Sequence, residues 1–458
     1  MATSVAKVTG LNHRGEGVGK ATSGPDQGLV VFLPGTVPGD VCEYSVVERK
    51  KNFMRGRVTN LLEAGPGRVE AACPVASSCG GCTWQHLSYD LQLQWKKRIV
   101  EEALSRIART EDCEVRDCLP SPQTAGYRNK VEVPLAVSNG KVVAGFYQPY
   151  SHRVVPSEEC VLEHPAAREV VLRMVEEVRT HRYSIYDERT GRGQVRHVVA
   201  RVAPGTGERM AVLVVNGRSI PKESQFATAV ASSLDNLVSV VLNTNTERTN
   251  IILGETSKVL YGRYHIEDLF GDGQPGRLRF RISPLSFYQV NSPQAARLYR
   301  LALDAAAIDG GLVFDVYSGI GTITLFAAQR ASLAVGIEEV GDAVRDARKN
   351  AELNGIQNVK FREGRAERIL SASIHDYGRP DAVILDPPRG GAEEPALRAI
   401  ARAKPRTIVY VSCNPSTLAR DLITLGQDGY RPLWVQPVDM FPQTPHVECV
   451  ALMSRFEE

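Results

Sequence analysis

Residues Thr407–Asp421 read TIVYVSCNPSTLARD, and they are the stretch around which the rest of the chain is organised. The first six form an apolar, β-branched run of strand length; Asn414-Pro415 then breaks it, and a helical pattern resumes at Ser416. Cys413 is therefore expected where a buried strand reaches a loop, which is the edge of an open α/β sheet that binds ligands. This cysteine is either a small buried hydrophobe or, where its surroundings favour the thiolate, a nucleophile.

The segment from Ser286 to Glu458 alternates helical and buried-strand patterns. This alternation predicts an α/β fold with a parallel, doubly wound sheet. The helical patterns span Pro293–Ala307 and Gly341–Asn354, and the apolar strands read LVFDVY, LAVGIEE, DAVILDPP and TIVYVSC. The runs RPLWVQPVDMF and VECVALMSR predict an antiparallel finish to the sheet.

A glycine turn and two acidic residues follow three of these strands. Gly319 and Gly321 come directly after LVFDVYS and predict a tight turn that lets the backbone approach a nucleotide-like ligand. Thr324 stands where a dinucleotide fingerprint has its third glycine, which weakens an NAD interpretation. Glu338 and Asp386 close two further strands, and together with the turn they suit the adenosine and methionine halves of S-adenosylmethionine. Either acid alone is more often the N-cap of the next helix.

Glu448 lies in the final strand-like run, HVECVALM. Between His446 and the apolar Val450, its carboxylate is expected to be partly desolvated, which raises the pKa of a carboxyl group and suits it to accept a proton. The alternative is a cross-strand ion pair.

Residues 1 to about 70 alternate short β-rich runs with glycine turns, which predicts a small barrel. A basic strip surrounds Phe53 in this region. It could hold a single nucleic-acid strand by charge and stacking, or it could be the solvated face of a hairpin. The basic residues of the strip are Arg49, Lys50, Lys51, Arg55 and Arg57.

Three cysteines follow in CPVASSCGGCTWQH, with the spacing C-x5-C-x2-C. Three thiolates so close together require a fourth ligand, and the candidates downstream are Cys113, Cys118 and Cys160. Zinc and an iron–sulfur cluster both accept four cysteines, so the spacing of Cys73, Cys79 and Cys82 leaves both open.

The stretch Tyr89–Arg109 has apolar residues at helical spacing and predicts an amphipathic helix, with Lys96, Lys97 and Arg98 on its solvated face. Strand-like runs, a helix over His164–His181 and further strands continue to about residue 285. We therefore expect this middle region to be α+β, and it carries no catalytic signature of its own.

Length and composition limit the number of domains and the class of protein. A chain of 458 residues predicts about three domains of ~150 residues each, and its 43% hydrophobic and 23% charged residues are typical of a globular protein. No apolar run approaches the ~18 residues that span a bilayer. The opening MATSVAKVTG lacks the apolar stretch of a secretory signal, so we expect a cytoplasmic protein with reduced cysteines. The net charge of +3 is compatible with a nucleic-acid partner but too small to demand one.

Motifs along nearly the whole chain resemble the RNA 5-methyluridine (uracil-C5) methyltransferase family. They are, in family order, CPVASSCGGCTWQHLSY, YRNKVEVP, GFYQPYSHRVV, SFYQVN, DVYSGIGT, LDPPRGG, SCNPSTLARD and DMFPQTPHVE. The N-terminal region is similar to a TRAM domain, an OB-like RNA-binding module. TRAM together with the cysteines is typical of the branch that acts on 23S ribosomal RNA, whereas the transfer-RNA branch typically has neither.

The resemblance implies three domains: an OB-like TRAM β-barrel over residues 1–68, a central α+β iron–sulfur domain over 69–285, and a class I Rossmann-like methyltransferase domain over 286–458. The helix at 89–109 could pack on the last of these. RNA is the implied partner, with no membrane and no obligate protein partner. Alternatives are the same chemistry on transfer RNA, a redox enzyme, or a non-catalytic RNA-binding protein with a redox-sensing cluster.

The resemblance also implies residue roles. Cys413 corresponds to a nucleophile that adds to uracil C6, and Glu448 to the general base. Phe287 or Phe441 could stack on the base or belong to the core. Ser318 stands where many relatives have cysteine, and the cofactor contact that some relatives make at Arg365 is not carried over. The implied S-adenosylmethionine contacts are Gln289, Tyr317, Glu338 and Asp386, and the implied ligands of a [4Fe-4S] cluster are Cys73, Cys79, Cys82 and Cys160.

Overall fold

The computed structural model describes residues 4–23, 26–110, 113–271 and 276–455. Within these ranges, five N-terminal strands close into a barrel in the order β1-β2-β3-β5-β4, which confirms the predicted barrel. Alternate residues of each strand point inward and form a small core of their own. The strands are β1 (Ser4–Leu11), β2 (Gly17–Ala21), β3 (Val30–Leu33), β4 (Val41–Arg49) and β5 (Phe53–Glu63).

The basic strip on this barrel is partly neutralised. Arg55 pairs with Glu16 at 2.9 Å, and Arg49 pairs with Asp26 at 2.5 Å. Phe53 packs edge-on against Phe32, with ring centroids 5.3 Å apart. The strip therefore combines internal ion pairs with exposed cations.

The chain then forms helix α1 (Tyr89–Ala103), which continues as a π-helical turn over Leu104–Ala108, and a short strand, β6 (Glu114–Val115). The helix is where it was predicted, but the prediction for Lys96 was wrong. Its side chain is fully buried and forms an ion pair with Asp439, 343 residues away. Helical spacing indicates one buried face and cannot reveal that a second element covers the opposite side.

A mixed sheet fills the middle of the described chain, with seven strands in the order β13-β12-β11-β10-β7-β8-β9. The predicted α+β organisation and the helix near 164–181 are confirmed. Helices α2 (Pro165–Thr180) and α3 (Glu223–Ser232) cover one face. The strands are β7 (Lys130–Ser138), β8 (Lys141–Tyr147), β9 (Val154–Pro156), β10 (Val195–Val202), β11 (Arg209–Val215), β12 (Leu237–Thr244) and β13 (Thr256–Gly262).

The hairpin β14 (Ile266–Phe270) and β15 (Leu278–Ile282) leads into the last sheet. In the part of the chain that the structure describes, this sheet has eight strands in the order β18-β17-β16-β19-β20-β22-β21-β6. The strands from β18 to β20 are parallel and β22 is antiparallel to β20, as the sequence predicts. They are β16 (Leu312–Val316), β17 (Leu333–Glu338), β18 (Val359–Glu363), β19 (Ala382–Leu385), β20 (Thr407–Ser412), β21 (Tyr430–Val438) and β22 (Glu448–Arg455).

Helices cover both faces of this sheet, which explains why its central strands are uninterrupted apolar runs. One face packs against α4 (Ser292–Ala306), α5 (Thr322–Ala328) and α6 (Gly341–Leu353), and its core is continuous with the middle sheet. The other packs against α7 (Ala366–Tyr377), α8 (Glu394–Ala403), α9 (Pro415–Gln427) and α1. Both α1 and β6 thus belong spatially to the last sheet. Among the described residues, no helix combines the length and apolar character needed to cross a bilayer.

Candidate active site

Three of the predicted residues lie side by side at the carboxyl edge of the last sheet. Strand β16 pairs in parallel with β17 on one side and β19 on the other. Because strand order reverses between β16 and β19, this edge is the topological switch point where such sheets bind ligands. The register brings Tyr317 between Glu338 and Asp386, each at or just beyond the end of its strand.

The glycine turn after β16 is tied to the end of β17. The Gly319 N–H donates to one carboxylate oxygen of Glu338 at 2.9 Å, and the Val340 N–H donates to the other at 2.8 Å. Gly321 has a φ of 83°, and a Cβ atom there would lie 2.9 Å from the Phe361 ring, so glycine is required by both backbone and packing. These bonds fix the orientation of the Glu338 carboxylate.

Two cavities meet at Tyr317. The first, of about 80 Å³, has both Gln289 and Asp386 in its wall. The second, of about 100 Å³, contains Glu338 and Arg365. The separation suits a ligand with two unlike halves. Arg365, for which no cofactor contact was carried over from the family, lies in the wall of the second cavity.

Cys413 directly follows β20, and Glu448 begins the adjacent antiparallel strand β22. Ser412 of β20 lies opposite Cys449 of β22. Since Cys413 follows Ser412 and Glu448 precedes Cys449, the antiparallel register brings the thiol and the carboxylate to the same end of this strand pair. Glu448 is buried, with 5% of its surface exposed, whereas Cys413 is partly accessible.

The pKa values of this site are displaced by burial and by neighbouring acids. Burial, with Asp386 adding to it and Arg389 opposing it, raises the pKa of Glu448 to about 8. Burial, together with Glu448 and Asp386, raises the pKa of Cys413 to about 11, and Arg389 again opposes the shift. Burial and the nearby Asp315 raise the pKa of Asp386 to about 7. Two acids and a thiol thus share one poorly solvated space.

Arg389 is a site residue that sequence reasoning missed. It follows Asp386-Pro-Pro in LDPPRGG, and its main-chain oxygen accepts hydrogen bonds from Asn414 Nδ2 at 3.2 Å and Thr417 Oγ1 at 3.4 Å. These bonds fix the main chain at Arg389 to the turn that carries Cys413. The available signal was a basic residue three positions after a strand-end acid.

A family model described as tRNA (uracil-5-)-methyltransferase matches residues 88–456. The chain belongs to this family. It is an S-adenosylmethionine-dependent RNA uracil-C5 methyltransferase.

Relatives extend this similarity across the full chain. The methyltransferase is 44% identical to an uncharacterized RNA methyltransferase of Caldanaerobacter subterraneus subsp. tengcongensis, covering 98% of this chain and 97% of the relative. It is 43% identical to an uncharacterized RNA methyltransferase of Halalkalibacterium halodurans, and the match covers 97% of this chain and 95% of the relative. The crystal structure of the Pyrococcus abyssi tRNA (uracil-54, C5)-methyltransferase in complex with S-adenosyl-L-homocysteine superposes with a TM-score of 0.77, at 29% identity over 98% of this chain and 99% of that one.

The four predicted cluster cysteines line a separate cavity of about 340 Å³, whose walls also include Phe287. Of the candidates for a fourth cysteine, only Cys160 lies in this wall, and neither Cys113 nor Cys118 does. Within the described ranges, no three His, Cys, Asp or Glu side chains converge on a position for a single metal ion. The cysteines that share the cavity are Cys73, Cys79, Cys82 and Cys160.

Phe287 lies between the cysteine cavity and the cavity at the carboxyl edge of the last sheet. Its side chain is 71% exposed and borders both the cysteine cavity and the cavity that holds Gln289 and Asp386. Phe441 instead is half-buried against the core. Of the two aromatic residues considered for stacking, Phe287 is therefore the accessible one.

Proposed function

We propose that the methyltransferase transfers a methyl group from S-adenosylmethionine to carbon 5 of a uridine in 23S ribosomal RNA, through a covalent bond between Cys413 and carbon 6. The observation that carries this proposal is the register of β20 and β22, which brings a thiol and a buried carboxylate together beside the cofactor edge. A methyltransferase acting on a nitrogen or oxygen would need no such pair, because only a carbon acceptor needs activation by addition.

In the proposed reaction the Cys413 thiolate forms a bond to carbon 6, and the electron pair of the 5,6 double bond makes carbon 5 enolate-like. Carbon 5 takes the methyl group, and the sulfonium becomes a neutral thioether. Glu448 then removes the proton from carbon 5, the 5,6 double bond re-forms, and the thiolate leaves. Because addition occurs from a face of the ring, the uridine must leave its stack, and the exposed Phe287 could then contact it.

The residues around the pair act on both ionisable groups. The pKa of the Cys413 thiol is raised by burial, Glu448 and Asp386, and Arg389 is the neighbouring cation that opposes this rise and so favours the thiolate that must attack. Burial makes the Glu448 carboxylate a stronger base than an exposed one once it is ionised. For the cofactor, we assign the ribose hydroxyls to Glu338 and the methionine half to the cavity of Gln289 and Asp386, with Tyr317 between the two halves.

We further propose that Cys73, Cys79, Cys82 and Cys160 hold a [4Fe-4S] cluster. Their common cavity supports this, because a cluster of four irons is larger than one ion and its ligands need not converge on a single point. When bound, the cluster would order the loops that supply its ligands; no step of methyl transfer requires an electron. The domain limits 1–68, 69–285 and 286–458 remain part of this proposal.

First prediction: Cys413→Ala abolishes methylation, whereas Glu448→Gln transfers the first methyl group and then accumulates a protein–RNA adduct, because elimination needs the base. Denaturing gel electrophoresis and methyl transfer from labelled cofactor measure both. An adduct formed by Cys413→Ala, or wild-type turnover by Glu448→Gln, would contradict the roles.

Second prediction: kcat rises by at least about tenfold between pH 7 and pH 9, because Glu448, with a pKa raised to about 8, is neutral below that value and an active base above it. The Cys413 thiol, with a pKa of about 11, adds to this rise wherever its attack limits the rate. Initial rates with saturating cofactor and RNA measure the profile. A rate that is flat or falls over this range would contradict the assignment of Glu448.

Third prediction: protein purified without oxygen contains about four irons and four sulfides per chain and absorbs broadly in the visible range. Cys160→Ala lowers the iron and sulfide content, whereas the matched control Cys118→Ala, outside the cavity, keeps the content of the wild type. Zinc in place of iron, or loss of iron in the control alone, would overturn the ligand set.

The choice of 23S ribosomal RNA rests on the family resemblance of the barrel together with the cysteine motif. The barrel by itself does not separate the two substrates, because the superposed Pyrococcus abyssi tRNA methyltransferase covers 98% of this chain. Transfer RNA is the second candidate, because the superposed Pyrococcus abyssi enzyme is described as acting on it.

Fourth prediction: mass mapping of RNA from a strain lacking the protein shows one or more 5-methyluridines missing from 23S ribosomal RNA and unchanged transfer RNA. Loss from transfer RNA alone would favour the second candidate.

A further inference from the structure

The loop between β21 and β22, residues 439–447, delivers Glu448 to the site; we name it the base loop. Strand β22 begins at Glu448, which pairs with Val438 at the end of β21, so both ends of the loop are fixed by the sheet. The conformation of the nine residues between them is set by contacts from other parts of the chain.

Two side chains of α1, those of Lys96 and Gln92, form hydrogen bonds with residues of the base loop. Lys96 Nζ donates to Asp439 and to the main-chain oxygen of Phe441, the latter at 3.0 Å. Both Lys96 and Asp439 are fully buried. A buried ion pair tolerates little displacement of its partners, because separating them would leave two unpaired charges without solvent.

Gln92, one helical turn earlier, makes a two-way contact with Gln443. Its Oε1 accepts from the Gln443 main-chain N–H at 2.9 Å, and its Nε2 donates to Gln443 Oε1 at 3.0 Å. Gln443 has a φ of 71°, in the left-handed region that a non-glycine residue adopts only under constraint. The amide of Gln92 thus fixes the most strained residue of the base loop.

The same loop receives hydrogen bonds from three further motifs. Tyr127 Oη donates to the Pro442 oxygen at 3.0 Å, and Asn291 Nδ2 donates to the Met440 oxygen at 3.1 Å. The Trp84 N–H, two residues after Cys82, donates to the Gln443 oxygen at 3.0 Å. Segments far apart in the sequence therefore converge on this one loop.

We propose that Gln92 and Lys96 are positioning residues for Glu448, which they do not touch: they set the base loop so that the carboxylate reaches the proton on carbon 5. The inference rests on the proposed function. It predicts a selective defect, because Cys413 and the glycine turn are held by other elements, so that addition and methyl transfer persist while elimination slows.

The test uses Gln92→Leu, which keeps the size of the side chain and removes its amide, with Gln94→Leu on the exposed face of the same helix as the matched control. A displacement of ~1 Å in a catalytic group can cost ~100-fold, so we expect release of RNA from the adduct to slow by about tenfold or more. The first methyl transfer should stay within about twofold of the wild type, a split measured in single-turnover reactions.

Lys96→Met, with Lys97→Met as its control, is the second variant. It leaves the Asp439 charge buried and unpaired, so its thermal unfolding must be measured alongside. Accumulation of adduct in Gln92→Leu and in folded Lys96→Met, but in neither control, is the expected result. Equal loss of methyl transfer and release, or wild-type release in Gln92→Leu, would overturn the inference.

The reference for both variants is Glu448→Gln. If Glu448→Gln accumulates an adduct and Gln92→Leu does not, the positioning role fails and the proposed function stands. If neither the wild type nor Glu448→Gln ever forms an adduct, the proposed function itself fails.

Discussion

The antiparallel pairing of β20 with β22 is the constraint on which the chemistry depends. Strands β16, β17 and β19 run parallel to β20 and bring their carboxyl ends to one edge, as an α/β sheet requires. A further parallel strand would bring only another carboxyl end there. By reversing direction, β22 brings an amino end instead, and Glu448 reaches the site as the first residue of a strand rather than the last. The proposed nucleophile, directly after β20, and the proposed base, at the start of β22, are thus held by neighbouring strands.

Low solvation gives this pairing its chemical character. An exposed carboxylate is a weak base near neutral pH, whereas the buried Glu448, close to Asp386, retains a proton to about pH 8. The same surroundings oppose ionisation of Cys413, and Arg389 is the neighbouring cation that counters them. The site therefore depends on a balance between two acids and one guanidinium: Asp386 and Arg389 follow β19, and Glu448 begins β22.

The sequence predicted the parts of the fold whose signals are local. The apolar runs of the last sheet, the barrel turns and the helices near 89 and 164 each have a period or a turn residue within the element itself. Cys413 and Glu448 were candidates because each ends or begins a strand-like run, but their roles were implied by the family resemblance and not by the pattern. Their juxtaposition follows from the antiparallel finish.

Signals that depend on distant partners were not readable. Lys96 has the charge and spacing of a solvated residue, and only Asp439 and the surrounding loop make it a buried one. Arg365, in the wall of the second cavity, and Arg389, close to Cys413 and Glu448, lie in loops with no periodicity, so their positions follow from the fold and not from a sequence pattern. The spacing of the cysteines left three candidates for the fourth one; the family resemblance implied Cys160, and of the three only Cys160 lies in the wall of the cavity.

The central claim, that Cys413 and Glu448 act on one uridine beside the cofactor, is tested most directly by mass spectrometry of the complex trapped with 5-fluorouridine RNA and S-adenosylmethionine. Fluorine cannot leave as a cation, so the account predicts a peptide containing Cys413 joined to a uracil that carries both fluorine and the transferred methyl group. Attachment to any other residue, or an attached base without the methyl group, would contradict it.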